Sequence, residues 1–263
     1  MNIYLQTVRT TIAEMLVYRL SFFLWRLRSV LNLFVIYFVW NAVYQETNLV
    51  LGYTHAQMMT YVLLSNILAT LALSSYTSNV AGDIVRGTVA QFLVRPIGYF
   101  KFLAARETAD KLLNVSAVVV ELLLLAYWFR PPVEIQTAPG VYVLFTALVL
   151  SGVGISFFLS LSISFIAFWS SEVWAPRFVF FVLIMFLAGS YFPLDILPNW
   201  AYRGLLATPF PYLFYAPTKT YLLGVNAQTL GFLGMSVLWN AVLYYMARSI
   251  WRKGMREFSF YGS

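Results

Sequence analysis

Apolar runs too long for a soluble core set the limits on this chain. Residues 22–44, built around VLNLFVIYFVW, and residues 57–80, built around MMTYVLLSNILATLALSS, each exceed the roughly 20 residues that a helix needs to cross the hydrocarbon layer of a bilayer. Four more follow at 108–129, 141–168, 176–192 and 226–247, the fourth long enough to tilt or project into water and the fifth short. Only 10% of the 263 residues are charged, against about 25% in a typical soluble domain. The backbone of such runs must satisfy its own hydrogen bonds, which helices do and isolated strands do not. The pattern therefore predicts an all-α polytopic membrane protein with six transmembrane helices in one transmembrane domain, residues 1–263.

The net charge of +7 reads as a topology signal and not as a nucleic-acid footprint, because Lys and Arg gather on the cytoplasmic side of membrane proteins. Fourteen bases fall on one side of the six spans: Arg9, Arg19, Arg26, Arg28, Arg86, Arg95, Lys101, Arg106, Lys111, Arg177, Arg248, Arg252, Lys253 and Arg256. Three, Arg130, Arg203 and Lys219, fall on the other. Both termini are then expected in the cytoplasm, which an even number of spans requires. Arg9, Glu14 and Arg19 interrupt the N-terminus, so no cleavable signal peptide is expected. Residues 1–20 mix Ile3, Val8, Ile12, Met15 and Leu16 with those charges, the pattern of a helix lying in the interface.

Residues 82–101, GDIVRGTVAQFLVRPIGYFK, are too charged and too glycine-rich to span. Ile84, Val85, Val89, Phe92 and Leu93 recur at roughly helical spacing until Pro96 breaks the pattern. Two roles suit such a segment: an amphipathic helix resting on lipid headgroups, or a docking element for a cytoplasmic partner.

Residues 193–217 hold Pro193, Pro198, Pro209, Pro211 and Pro217 among Trp200, Tyr202, Phe210, Tyr212, Phe214 and Tyr215. The prolines forbid a continuous helix and the aromatics favour the interface, which suggests short helices that dip into the outer leaflet and return.

These stretches together resemble type-2 ABC exporter permeases. Asp83-Ile-Val-Arg-Gly87-Thr88 followed by Leu93-Val-Arg95-Pro96 looks like the cytoplasmic loop of that family. YFPLDILPNW at 191–200 resembles the segment after its fifth span, and WRKGMREFSFYGS at 251–263 resembles the tail of a bacterial, daunorubicin-type branch. The resemblance implies a permease subunit in a bacterial inner membrane, working as a half-transporter beside a second permease subunit, identical or homologous. It implies a separate ABC ATPase that carries the ATP and magnesium, so this chain would hold no cofactor and be no enzyme. It further implies that 82–101 is a coupling element, with Asp83, Arg86, Gly87, Thr88, Phe92, Arg95 and Pro96 as its contact residues, that the N-terminal helix also touches the ATPase, and that 193–217 is an outer gate or re-entrant hairpin through Pro193, Pro198 and Trp200. A secondary transporter, or another polytopic protein without an ATPase, is the alternative.

Glu121 is the one acid well inside an expected span, so it is a candidate for a substrate path as well as for a hydrogen-bonded structural role. Gly152, Ser156, Ser160 and Ser164 recur every fourth residue and form a small-residue stripe for close helix packing. With no cysteine, one histidine, and no G-x-x-x-x-G-K-[ST], H-E-x-x-H or G-x-S-x-G sequence, the chain lacks the usual means of metal, phosphate-loop or serine-nucleophile chemistry.

Overall fold

The computed structural model describes residues 3–73, 76–93 and 97–258, and helices account for most of them. In chain order these are α1 (Ile3–Val17), α2 (Arg19–Val43), α3 (His55–Leu73), α4 (Val80–Val85), α5 (Ala90–Leu93), α6 (Tyr99–Phe129), α7 (Pro139–Ser164), α8 (Trp174–Leu187), α9 (Asn199–Leu206), α10 (Tyr215–Leu223) and α11 (Ala227–Glu257). A small antiparallel hairpin, β1 (Leu49–Val50) and β2 (Tyr53–Thr54), joins α2 to α3.

Five helices are long and apolar enough to cross a membrane: α2, α3, α6, α7 with its short 3-10 extension, and α11. The protein is an all-α, multi-pass membrane protein. Its two ends are distinguishable. At the base, α1 lies against the start of α6, where Glu14 pairs with Arg106, and Tyr99 stacks on Trp251 of α11 with ring centroids 4.7 Å apart. At the cap, Gln57 reaches Glu134 (3.4 Å) and Gly140 faces Val225. Local chemistry fixes several boundaries. Pro139 sits in the first turn of α7, where its missing N–H is no loss. Asn226 and Thr229 cap each other's backbone N–H groups to start α11.

The fifth span departs from the expectation of one helix over 176–192. Helix α8 has 14 residues, a rise of about 21 Å against the ~30 Å of a hydrocarbon core. It stops where Gly189 takes φ +76°; a Cβ there would also lie 2.8 Å from the Tyr61 hydroxyl. The chain detours through residues 194–196, α9 and residues 210–212. It returns to the same point, where Tyr215 N–H donates to the Ala188 carbonyl at 3.1 Å. Helix α10 then completes the climb. The fifth crossing is thus composite, 14 residues of α8 followed by 9 of α10, which together rise about 35 Å. Six crossings remain, and both ends of the described chain lie at the base.

Other boundaries shift for simpler reasons. Helix α3 ends at Leu73, short of the expected residue 80, and its late carbonyl at Ala72 is satisfied by the Ser156 hydroxyl of α7. Helices α6 and α11 run well past their apolar stretches at the base, α6 beginning at Tyr99 and α11 ending at Glu257, with charged turns. The N-terminal helix breaks at Tyr18 before α2 begins. Among the described residues the two largest of four buried clusters hold the bundle. One, at mid-height, gathers Tyr61, Leu148, Ile155, Leu194, Phe214 and Tyr215. The other, at the base, gathers Val80, Ile84, Val89, Leu103, Phe165 and Ala247.

Candidate functional site

The base loop is built by two short helices around a tight turn. Helix α4 ends at Val85, and the chain reverses through Gly87 at φ +73° into α5. Nothing lies within 4 Å of a Cβ placed on Gly87, so glycine is present for its backbone angle, and the turn is open to solvent. The Thr88 hydroxyl donates to the Asp83 carbonyl at 3.1 Å and fastens the turn.

The apolar side of this loop is not free for a partner. Ile84 and Val89 are buried in the base cluster against α7, α11 and the 3-10 turn Phe165–Phe168, and Phe92 packs on Tyr99 and Phe102. The outer face instead carries Val85, Arg86 and Gln91. The Arg86 guanidinium meets Asp83 at 3.1 Å with its side chain 67% exposed, an arrangement that contributes little stability and leaves the arginine accessible. Arg95 and Pro96, and the last five residues of the tail, lie outside the described residues.

The small-residue stripe of α7 is a polar seam within the bundle. A Cβ on Gly152 would sit 3.0 Å from the Tyr212 carbonyl, so the glycine admits the returning strand of the detour. Gly152 lies twelve residues below Gly140, which puts Tyr212 about 18 Å beneath the cap end. Ser160 accepts from the Thr77 hydroxyl (2.7 Å) and Ser164 donates to the Thr77 carbonyl (2.9 Å). Arg177 of α8 donates to Ser164 Oγ at 2.5 Å.

Glu121 on α6 is paired. Arg26 of α2 donates Nε to Glu121 Oε1 at 2.7 Å and Nη2 to Oε2, a bidentate contact, and Nη1 approaches Asn114 Oδ1 at 3.4 Å. Arg26 is buried, so it does not belong with the water-facing cations of the base. The charge asymmetry survives its removal. A desolvated arginine demands an anion, and no local pattern marks a partner 95 residues away.

At the cap, a cluster that sequence reasoning missed fastens the detour. Tyr53 of β2 donates to Asp195 (2.8 Å), while Lys219 of α10 donates to Asp195 (2.7 Å) and to the Tyr53 hydroxyl (2.6 Å). Burial, reinforced by the Asp195 carboxylate, holds the Tyr53 phenol well above its ordinary pKa, so it stays protonated and keeps donating. Two opposite charges within an aromatic, proline-rich segment were the available signal. Of the residues singled out there, Pro193 is buried beside Leu194, Pro198 precedes α9, and Trp200 points outward with 80% exposure.

The spans, the loop and the detour are matched by a family model. The model described as ABC-2 family transporter protein covers residues 30–262. The chain belongs to the ABC-2 transporter family. No curated protein matches the sequence. The ABC-2 match begins inside α2, so α1, Arg26 and Arg28 lie outside it. It makes this multi-pass chain an ABC permease subunit.

Proposed function

We propose that this chain is the membrane subunit of an ATP-driven exporter. It takes a separate ABC ATPase at its base loop and works beside a second permease subunit, identical or homologous. ATP and magnesium belong to the ATPase. The base faces the cytoplasm of a bacterial inner membrane, as the excess of Lys and Arg there favours.

One observation carries the coupling role. The loop at 80–93 is anchored on its inner side, through Val80, Ile84 and Val89, to α7 and α11, and open on its outer side at Val85 and Arg86. A push on the outer side therefore reaches α7 and the Phe165–Phe168 turn directly, and α11 through the cluster they share. At the cap, the Tyr53–Asp195–Lys219 cluster supports a gate that opens when the detour of 189–214 moves.

The test is co-purification of the ATPase with the permease, together with substrate-stimulated ATP hydrolysis. Arg86→Glu reverses the accessible charge, and like charges across a docked interface cost several kcal/mol, roughly two decades in affinity or more. Lys253→Gln on α11 serves as the control. Loss of the ATPase from the Arg86 variant alone is expected; equal retention in both removes the loop from the docking role.

A further inference from the structure

Helix α8 leaves a cleft beside it. Arg177, Phe180, Phe181 and Ile184 recur on one face and line a cavity of about 100 Å³, closed on the α7 side by Leu159 and Ile163. The cavity is mostly apolar; Ser156 and Ser160 of α7 also line it, each already hydrogen-bonded within the bundle, and at its base end Arg177 reaches Ser164. A second cation lies beside the cavity wall. The Arg28 guanidinium of α2 lies 5.9 Å from the ring of Phe181 and 4.9 Å from that of Trp25. Among the described residues, no carboxylate lies within ion-pair distance of Arg28. Phe181 is one helical turn above Arg177, about 6 Å along α8. The Arg28 guanidinium therefore lies beside a ring that lines the cavity, and Arg177 stands at the cavity's base end.

We infer that this cleft binds an amphiphile with a phosphate headgroup, drawn from the base-side leaflet, and that such molecules are the cargo class. The phosphate lies on Arg28 and Arg177, whose planar donors suit its oxygens. The acyl chain runs along Phe180, Phe181 and Ile184. The enclosed volume holds only a few methylene groups, so the rest of the chain stays in lipid. Arg26, two residues from Arg28, is already neutralised by Glu121 and takes no part. The cargo assignment rests on the exporter reading; the binding itself does not.

The test uses the full-length chain in nanodiscs, without any ATPase. The probe is phosphatidylglycerol with a photoactivatable group in its acyl chain, diluted into phosphatidylcholine. Expected is a saturable cross-link to α7 and α8 residues of the cleft, which the same probe with a choline headgroup gives weakly. Arg28→Gln with Arg177→Gln lowers the apparent affinity about tenfold or more, the loss of charge-assisted hydrogen bonds. Ile184→Trp fills the cavity with both arginines in place and also removes the cross-link, while Lys253→Gln leaves it. Each protein is first checked for a monodisperse elution profile and parental helicity; if Arg177→Gln misfolds, Ile184→Trp and Arg28→Gln decide. Cross-linking that is scattered over the bundle, insensitive to headgroup, or unchanged in the variants overturns the site. A cleft that binds the probe, in a complex whose ATP hydrolysis no phosphate-bearing amphiphile stimulates, overturns the cargo class. Loss of the ATPase role alone leaves the cross-link intact, so the two readings fail separately.

Discussion

Replacing Glu121 by Leu removes both acceptors that Arg26 uses, leaving the guanidinium with Asn114 at 3.4 Å as its only other described contact. Deleting one partner of a buried ion pair costs ~3–5 kcal/mol. The lower end applies here. The Glu121 side chain keeps 21% of its surface, and a chain unfolded within lipid finds substitute partners. About 3 kcal/mol is roughly two decades in the folding equilibrium. Glu121→Gln retains one acceptor and should lose about half of that. Removing both charges, Arg26→Leu with Glu121→Leu, should come within ~1 kcal/mol of the parent, because no stranded ion remains. Equilibrium unfolding in mixed micelles of rising dodecyl sulfate content, followed by far-UV circular dichroism, reads these differences. The reasoning fails if Glu121→Leu unfolds with the parent and the double variant merely adds the two single effects. If instead the variants stay stable while transport changes, Glu121 serves the cargo path and not the α2–α6 contact.

Three further outcomes are expected. In this cysteine-free chain, Gln91→Cys should react with a membrane-impermeant maleimide only from the cytoplasmic side and Thr137→Cys only from outside; the reverse pattern would invert the topology. Gly152→Val should drive the Tyr212–Leu213 backbone off α7 and lower the thermal midpoint by several degrees, whereas Gly231→Val, with nothing within 4 Å of its Cβ, should lower it far less; equal losses would remove the close-approach argument. Lys219→Met should loosen the 189–214 detour, seen as faster amide exchange there with little change in the base loop, since Asp195 would keep only Tyr53 among these three; unchanged exchange would deny the cluster its fastening role.

Much of the architecture was legible because a bilayer writes itself into sequence. Hydrocarbon thickness sets the length of each apolar run, and the cost of burying charge sets where Lys and Arg collect. Those are local, additive quantities, so the spans around α2, α3, α6, α7 and α11 and the even parity could be read directly. The broken backbone of 193–217 was legible for a similar reason, since proline acts on its own dihedrals; the turn at Gly87 was not, because apolar spacing carried one helical pattern through it to Pro96, whereas the chain breaks there between α4 and α5.

What only the tertiary structure decided were questions of who meets whom. Periodicity marked Ile84 and Val89 as apolar but could not say whether a partner or α7 and α11 would cover them. Hydropathy carried the fifth span to residue 192, yet α8 stops at Leu187 because Gly189 abuts the Tyr61 hydroxyl and Tyr215 takes the Ala188 carbonyl. Arg26 counted as a cytoplasmic base until α6 placed Glu121 beside it, and Asp195 stayed unremarked until Tyr53 came within 2.8 Å across 142 residues of chain. The physical reason is one of range: insertion energies are sums over neighbouring residues, whereas an ion pair or a close backbone approach exists only when folding brings distant segments together.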